Sequence, residues 1–161
     1  MIVRAMILAA LLALAAPAAL AGPAENKVTA GRILLERMGQ GRFDIDPEIY
    51  GPGFVAHGFG RDFTLAEDQA SGRALRAAFP DLAVRVDRIV GEGDLVAVHW
   101  SSTGTNSVAL GMFPGNGRRV AIDGMSFFRF VDGRIVEEWS ACDTMAMLRQ
   151  LGLAGAETAG E

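Results

Sequence analysis

The sequence has one cysteine, two histidines, one tyrosine and two tryptophans among its 161 residues. A lone thiol, Cys142, excludes an internal disulfide, so packing alone must hold the fold. His57 and His99 stand at unrelated spacing and without a cysteine pair, short of the three or more ligands a metal site needs, so no metal is expected. Positive charge is in deficit: 15 Lys and Arg face 19 Asp and Glu, for a net −4. Such a balance suits neither a nucleic-acid backbone nor an anionic membrane surface. No P-loop, nucleophile elbow or dinucleotide fingerprint is present. The "GNG" at Gly115 to Gly117 is turn material, because it joins no strand to a helix.

Long apolar runs are confined to the start of the chain. "MIVRAMILAALLALAAPAALA" carries one charge at Arg4, an apolar run from Ala5 to Ala16, Pro17, and then Ala19-Leu20-Ala21. That is the layout of a secretory signal peptide cleaved after Ala21. The run is well short of the roughly 20 residues a membrane span requires. Residues 1–21 therefore read as a signal peptide. The mature protein is expected to be exported, periplasmic or secreted, and free of the membrane once cleaved.

Half of the residues are hydrophobic, enough for one domain over 22–153, with 154–161 a flexible tail. Glu25 to Gln40 has helical periodicity, with Val28, Ile33, Leu34 and Met38 near one face. "FDIDPEIYGPGFVAHGFG" is rich in Gly and Pro and reads as loop or short irregular helix. A second helix starts at Thr64, whose capping-box partner is Glu67, and stops at Pro80. The period then changes. "LAVRVDRIV", "LVAVHWSST", "VAIDGMSFFRF" and "RIVEEWSA" read as four strands, the last two joined by the tight-turn pair Asp132-Gly133. Thr144 to Leu151 is a final helix closed by Gly152.

Helices first and hairpin-linked strands after them indicate an α+β fold. The expected form is a curved antiparallel sheet wrapped around the N-terminal helices, a cone with an internal pocket. Phe54, Met112, Phe113, Met125, Phe127 and Trp139 are the apolar residues available to line that pocket or to fill the core. "VAIDGMSFFRF" is apolar at both parities, so its outer face needs a cover: a second copy of the chain, or the last helix.

"LRAAFPDLAVRVDRIVGEGDLVAVHWSSTGT", "FRFVDGRIVEEW" and "DTMAMLRQLG" together resemble the SnoaL-like polyketide cyclases, also called ester cyclases. These belong to the superfamily similar to nuclear transport factor 2 and ketosteroid isomerase. The likeness runs from about Glu25 to Leu153, and departs from the Gly-Thr-His frequent in relatives at Gly104-Thr105-Asn106. It implies an α+β cone, no cofactor and, in characterised cyclases, intramolecular aldol closure with an aspartate as acid/base, which falls by position on Asp143.

From the residues alone, Asp143 is either the N-cap of the last helix or the acid/base group of the pocket. His57 and His99 are candidates to steady an enolate oxygen, or are ordinary packed histidines. Asn106 could orient a substrate carbonyl or cap a loop. Glu137 shares strand parity with Trp139, so both face one side if no bulge intervenes, and Glu138 faces the other. Trp139, Asn106, Glu137, Met125 and Phe54 complete the candidate binding set, and Asp123 is a further carboxylate. The functions these residues suit are cofactor-free proton transfer α to a carbonyl, or binding of an apolar small molecule without chemistry. A homodimer is the expected assembly.

Overall fold

A computed structural model describes residues 22–58, 60–111 and 113–153. The segments read as signal peptide and tail, 1–21 and 154–161, lie outside the described residues, as does Met112. Helix α1 (Pro23–Arg32) opens on a proline at its first position, and Glu25 accepts the Gly22 backbone N–H at 3.0 Å. It runs directly into a π-helical turn (Ile33–Met38). A 3₁₀ turn (Phe43–Ile45) and the short α2 (Asp46–Ile49) follow.

The region read as loop contains a strand. β1 (Tyr50–Gly58) pairs with β2 (Arg61–Thr64), and Gly53, at φ +72°, sits where the register of β1 shifts. Helix α3 (Leu65–Ala78) starts with the expected box: Thr64 Oγ1 accepts from Glu67 N, and Glu67 accepts from Thr64 N at 2.8 Å. Strands β3 (Ala83–Glu92) and β4 (Leu95–Thr105) form one hairpin. Two short strands, β5 (Ala109–Leu110) and β6 (Phe113–Pro114), pair by themselves. β7 (Arg119–Val131) and β8 (Arg134–Cys142) turn at Asp132 and Gly133, both at positive φ as a two-residue hairpin requires. Helix α4 (Thr144–Leu151) ends at Gly152, φ +74°.

The main sheet has the order β2-β1-β8-β7-β4-β3 and does not close. Its pairs are antiparallel except β1 with β8, which run parallel, a departure from the all-antiparallel expectation. Irregularities in β1, at Val86/Arg88 and at Arg129/Phe130 interrupt the ladder and bend it. The inner face of the sheet supplies Val96, Val98, Phe128, Phe130 and Ile135 to a core closed by Ile33, Leu34, Ile45 and Ile49. A second cluster of Ala78, Phe79, Val120 and Leu151, with Met147 against it, seats α4 at the far end. The outer face keeps Met125, Phe127 and Trp139 exposed, so α4 is not its cover.

Candidate functional site

Between the helices and the inner sheet face lies a cavity of two lobes, about 450 and 550 Å³, which share Leu34, Met38, Leu75, Trp100, Cys142 and Thr144. The larger lobe is almost wholly apolar, with Leu82, Val84, Ile122, Met147 and Leu148 added. The smaller is polar at one wall: Arg37, Asp68, Ser126, Glu138 and Ser140. An apolar chamber with a few converging polar groups is the usual form of a small-molecule site.

Local structure aims these side chains. The π-helical turn contributes Ile33, Leu34, Arg37 and Met38 to the cavity wall. Such turns often mark functional positions, because the extra residue per turn redirects the face that follows. Arg37 is buried, with Nε donating to Asp46 Oδ1 at 2.8 Å and Nη2 donating to Asp68 Oδ2 at 2.7 Å. Gln69 secures the other Asp46 oxygen at 2.7 Å. The guanidinium also lies over Phe43 and Tyr50, 4.9 and 5.2 Å from the ring centres.

Glu138 stands opposite. Ser140 Oγ donates to Glu138 Oε1 at 2.7 Å, Ser140 and Ser126 hydroxyls are 2.7 Å apart, and Trp100 Nε1 donates to Ser126 Oγ at 3.1 Å. Removal from water pushes the Glu138 carboxyl up to about 7, and Asp68 adds to the rise against the opposing pull of Ser140 and Arg37. The Tyr50 hydroxyl is buried without a partner among the described residues, and burial, followed by the Glu138 charge, raises its pKa well above the ordinary phenol.

None of the eight residues of the candidate catalytic and binding sets (Asp143, His57, His99, Trp139, Asn106, Glu137, Met125 and Phe54) lines this cavity. Asp143 is exposed and caps α4, with Oδ1 accepting from Ala146 N at 2.8 Å. The expectation that it faces the interior is therefore corrected to a position at the rim of the outer sheet face, beside His99, Asp123 and Met125. His99 pairs in register with Met125 on that outer face. His57 is a strand residue outside the cavity: its Nδ1 lies 2.7 Å from Asp62, and its ring stacks on Trp139 at 4.9 Å. Glu137 is on the outer face too, bonded to Arg129, whose hydrogen bond is the main cause of its lowered pKa. Phe54 is core, 4.4 Å from Tyr50. Asn106 is fully buried but works on its own loop, accepting from Gly115 N at 2.8 Å and donating to Val108 O at 3.2 Å.

The miss at Glu138 has a definite origin. Phe130 pairs with Ile135 and Arg129 with Glu137, which leaves Val136 as an extra residue in β8. Parity counted from the buried Ile135 would put Glu137 and Trp139 inside. The bulge reverses that count and turns Glu138, Ser140 and Cys142 inward. Nothing in the sequence marks Val136 as the bulge.

Among the described residues one group of metal-type ligands comes together: Asp87, His99 and Asp123, with donor atoms within 4.8 Å of one another. Asp87 is already engaged by Arg85 at 2.7 Å, and Asp123 lies mostly in solvent. No described helix is long and apolar enough to cross a membrane.

Comparison with solved structures places this architecture. AclR from Streptomyces galilaeus, a candidate hydroxylase, superposes with a TM-score of 0.76 at 24% identity, over 84% of this chain and 89% of its own. IdmH from Streptomyces antibioticus, a candidate polyketide cyclase, gives 0.70 at 30% identity, over 79% of this chain and 98% of its own. A SnoaL-like polyketide cyclase candidate from Jannaschia sp. CCS1 gives 0.74 at 22% identity, over 83% and 95%. No curated protein sequence matches significantly. The family model described as SnoaL-like polyketide cyclase matches residues 31–151, and this chain belongs to that family.

Proposed function

We propose that the protein is exported and carries out cofactor-independent acid/base chemistry α to a carbonyl, a cyclisation or isomerisation, with Glu138 as the acid/base group. The observation that carries this reading is a carboxyl on the polar wall of an otherwise apolar cavity, with one oxygen held by Ser140 and titration near neutrality. A general base works best with a pKa near the working pH. The Glu138 carboxylate takes the α-proton, and the C–H electron pair moves into an enolate. The enolate carbon then attacks a second carbonyl of the same molecule, whose oxygen becomes an alkoxide and takes the proton back from Glu138, or the enolate is reprotonated elsewhere by Glu138. The apolar lobe holds the remainder of the substrate and excludes water.

Export rests on the Arg4, apolar-run and Ala-Leu-Ala order, and N-terminal sequencing of protein from its native compartment should begin at Gly22. A homodimer through the outer sheet face completes the proposal.

A second reading has its own support. The larger lobe is lined almost entirely by apolar side chains, which suits a carrier of an apolar metabolite. The experiment that separates the two is α-hydrogen exchange in D₂O on a β-keto ester bearing an apolar chain, followed by NMR. Glu138→Gln should lower the catalysed rate by roughly 10²–10⁴-fold. Full activity in that variant would end the acid/base reading, and native mass spectrometry showing a co-purified ligand would then favour the carrier.

A further inference from the structure

We propose that Ser140 and Ser126, anchored by the Trp100 indole, form a one-way hydrogen-bond chain that steers the proton of the neutral Glu138 carboxyl to Oε2, the oxygen left open to the cavity. Its use in catalysis rests on Glu138 being the acid/base group, but its test does not.

The direction follows from the chemistry of the four groups. An indole N–H can only donate, so Ser126 Oγ accepts from Trp100 at 3.1 Å. Ser126 then has a single proton to place, and its only other partner among the described residues is Ser140 Oγ at 2.7 Å. Ser140, having accepted, donates its own proton to Glu138 Oε1 at 2.7 Å. Running the second half backwards would give Ser126 two donors and leave its hydroxyl proton without an acceptor. Ser126 is buried, so water does not compensate for that loss. Oε1 is therefore the oxygen that accepts from Ser140. The carbonyl oxygen of a neutral carboxyl accepts better than its hydroxyl oxygen, so the Ser140 donor favours the neutral acid with its proton on Oε2. Oε2 has no hydrogen bond among the described residues and is not closed off from solvent.

The fold is built to hold this chain. Ser126 and Ser140 are register partners on β7 and β8, and Gly124 is the register partner of Trp100. A Cβ on Gly124 would lie 2.2 Å from the indole, so only glycine lets the ring lie across β7 and reach Ser126 two residues further on. The other charged and titratable groups around Glu138 are Asp68 and Arg37 from the helical layer, Asp46 behind Arg37, and Tyr50 from β1. None of them hydrogen-bonds to Oε1. Together with Ser140 they set how readily Glu138 titrates, and the chain sets where the proton sits.

The test is an NMR titration of the mature protein from pH 5 to 9. The Glu138 side-chain carboxyl carbon and the Trp100 indole N–H are followed together, and Trp139→Phe assigns the indole. In the wild type the indole resonance should move with the same midpoint as the carboxyl. Ser126→Ala should leave the carboxyl titrating but flatten the indole response. Ser140→Ala should flatten it too, and raise the carboxyl midpoint by about half to one unit, because Oε1 loses its donor. Ser140→Thr, which keeps a hydroxyl, should restore both behaviours. An indole resonance that stays flat in the wild type while the carboxyl titrates overturns the chain, and that measurement needs no variant to fold. An unmoved midpoint in folded Ser140→Ala overturns it equally. Failure of the catalytic reading looks different: Glu138→Gln would keep its exchange activity while the wild-type indole still followed the carboxyl.

Discussion

Glu138 owes its behaviour to its surroundings: loss of water and the Asp68 carboxylate disfavour its charge, while Ser140 and Arg37 favour it. The sign for stability follows. The unfolded carboxyl ionises near its ordinary value of 4.5, the folded one near about 7, so between those pH values the folded state holds the extra proton. Stability should therefore fall as pH rises through that window, then level off with Glu138 ionised. Glu138→Gln removes the burden and should be more stable than wild type above the window, by about 1–3 kcal/mol after allowing for water in the cavity. Below pH 4.5 the difference should vanish. Urea midpoints of the two proteins at pH 4 and pH 8 measure this, and equal differences at both would contradict a half-buried, titrating Glu138. Asp143→Asn is the matching control. Asn caps about as well as Asp, and Asp143 lies outside the cavity, so stability and α-exchange activity should both stay near wild type. At this scale the sequence was a poor guide, because cap and catalytic acid look alike in "CDTM", and the face of Glu138 turned on one unmarked extra residue, Val136.

Elements were far more legible than residues, wherever their signals were local. The Thr64–Glu67 box, the Asp132-Gly133 turn and the Gly152 terminus each stand where the sequence placed them, since each rests on bonds within a few residues. β1 carries a loop-like sequence because only its second half has a local partner, β2; its other partner is β8, in parallel and more than eighty residues away, and Gly53 breaks its alternation. The π-helical turn was equally hidden, since Ile33 to Met38 has ordinary helical composition. β7 carries a sharper dependence. Gly124→Ala forces a methyl into the Trp100 ring, and overpacking of that kind costs about 1–3 kcal/mol. The indole must shift to relieve it, which should also uncouple Trp100 from Ser126. Chemical denaturation together with the indole N–H resonance would register both effects. A fully stable variant with an unchanged indole signal would mean that the ring is not seated as described.

The whole-molecule shape positions two surfaces of different character on one sheet. The inner face makes the core and the cavity, and α4 closes their far end through Met147 and Leu151. The outer face carries a row that crosses five strands in register, Val90, Ala97, Phe127, Trp139 and His57, with Met125 beside it. Met125 is 61% exposed, Phe127 48% and Trp139 39%, a contiguous apolar patch of the sort that marks an interaction surface. The sequence showed the need for a cover, through apolar residues at both parities of β7, but could not say which element would supply it. With α4 committed elsewhere, a second copy is the proposed occupant: a two-fold axis through the patch lets one surface meet itself, and each mutation then counts twice. Burying a phenylalanine contributes about 2 kcal/mol, so Phe127→Glu should weaken a symmetric dimer by about 4 kcal/mol, roughly a thousandfold in dissociation constant. Sedimentation at micromolar concentration should show a dimer for the wild type and a monomer for the variant. Because Phe127 points away from the cavity, the Glu138 titration should stay where it was. A wild type that sediments as a monomer at that concentration would rule out this interface, and a variant monomer with an altered Glu138 midpoint would mean that the two faces of the sheet are coupled after all.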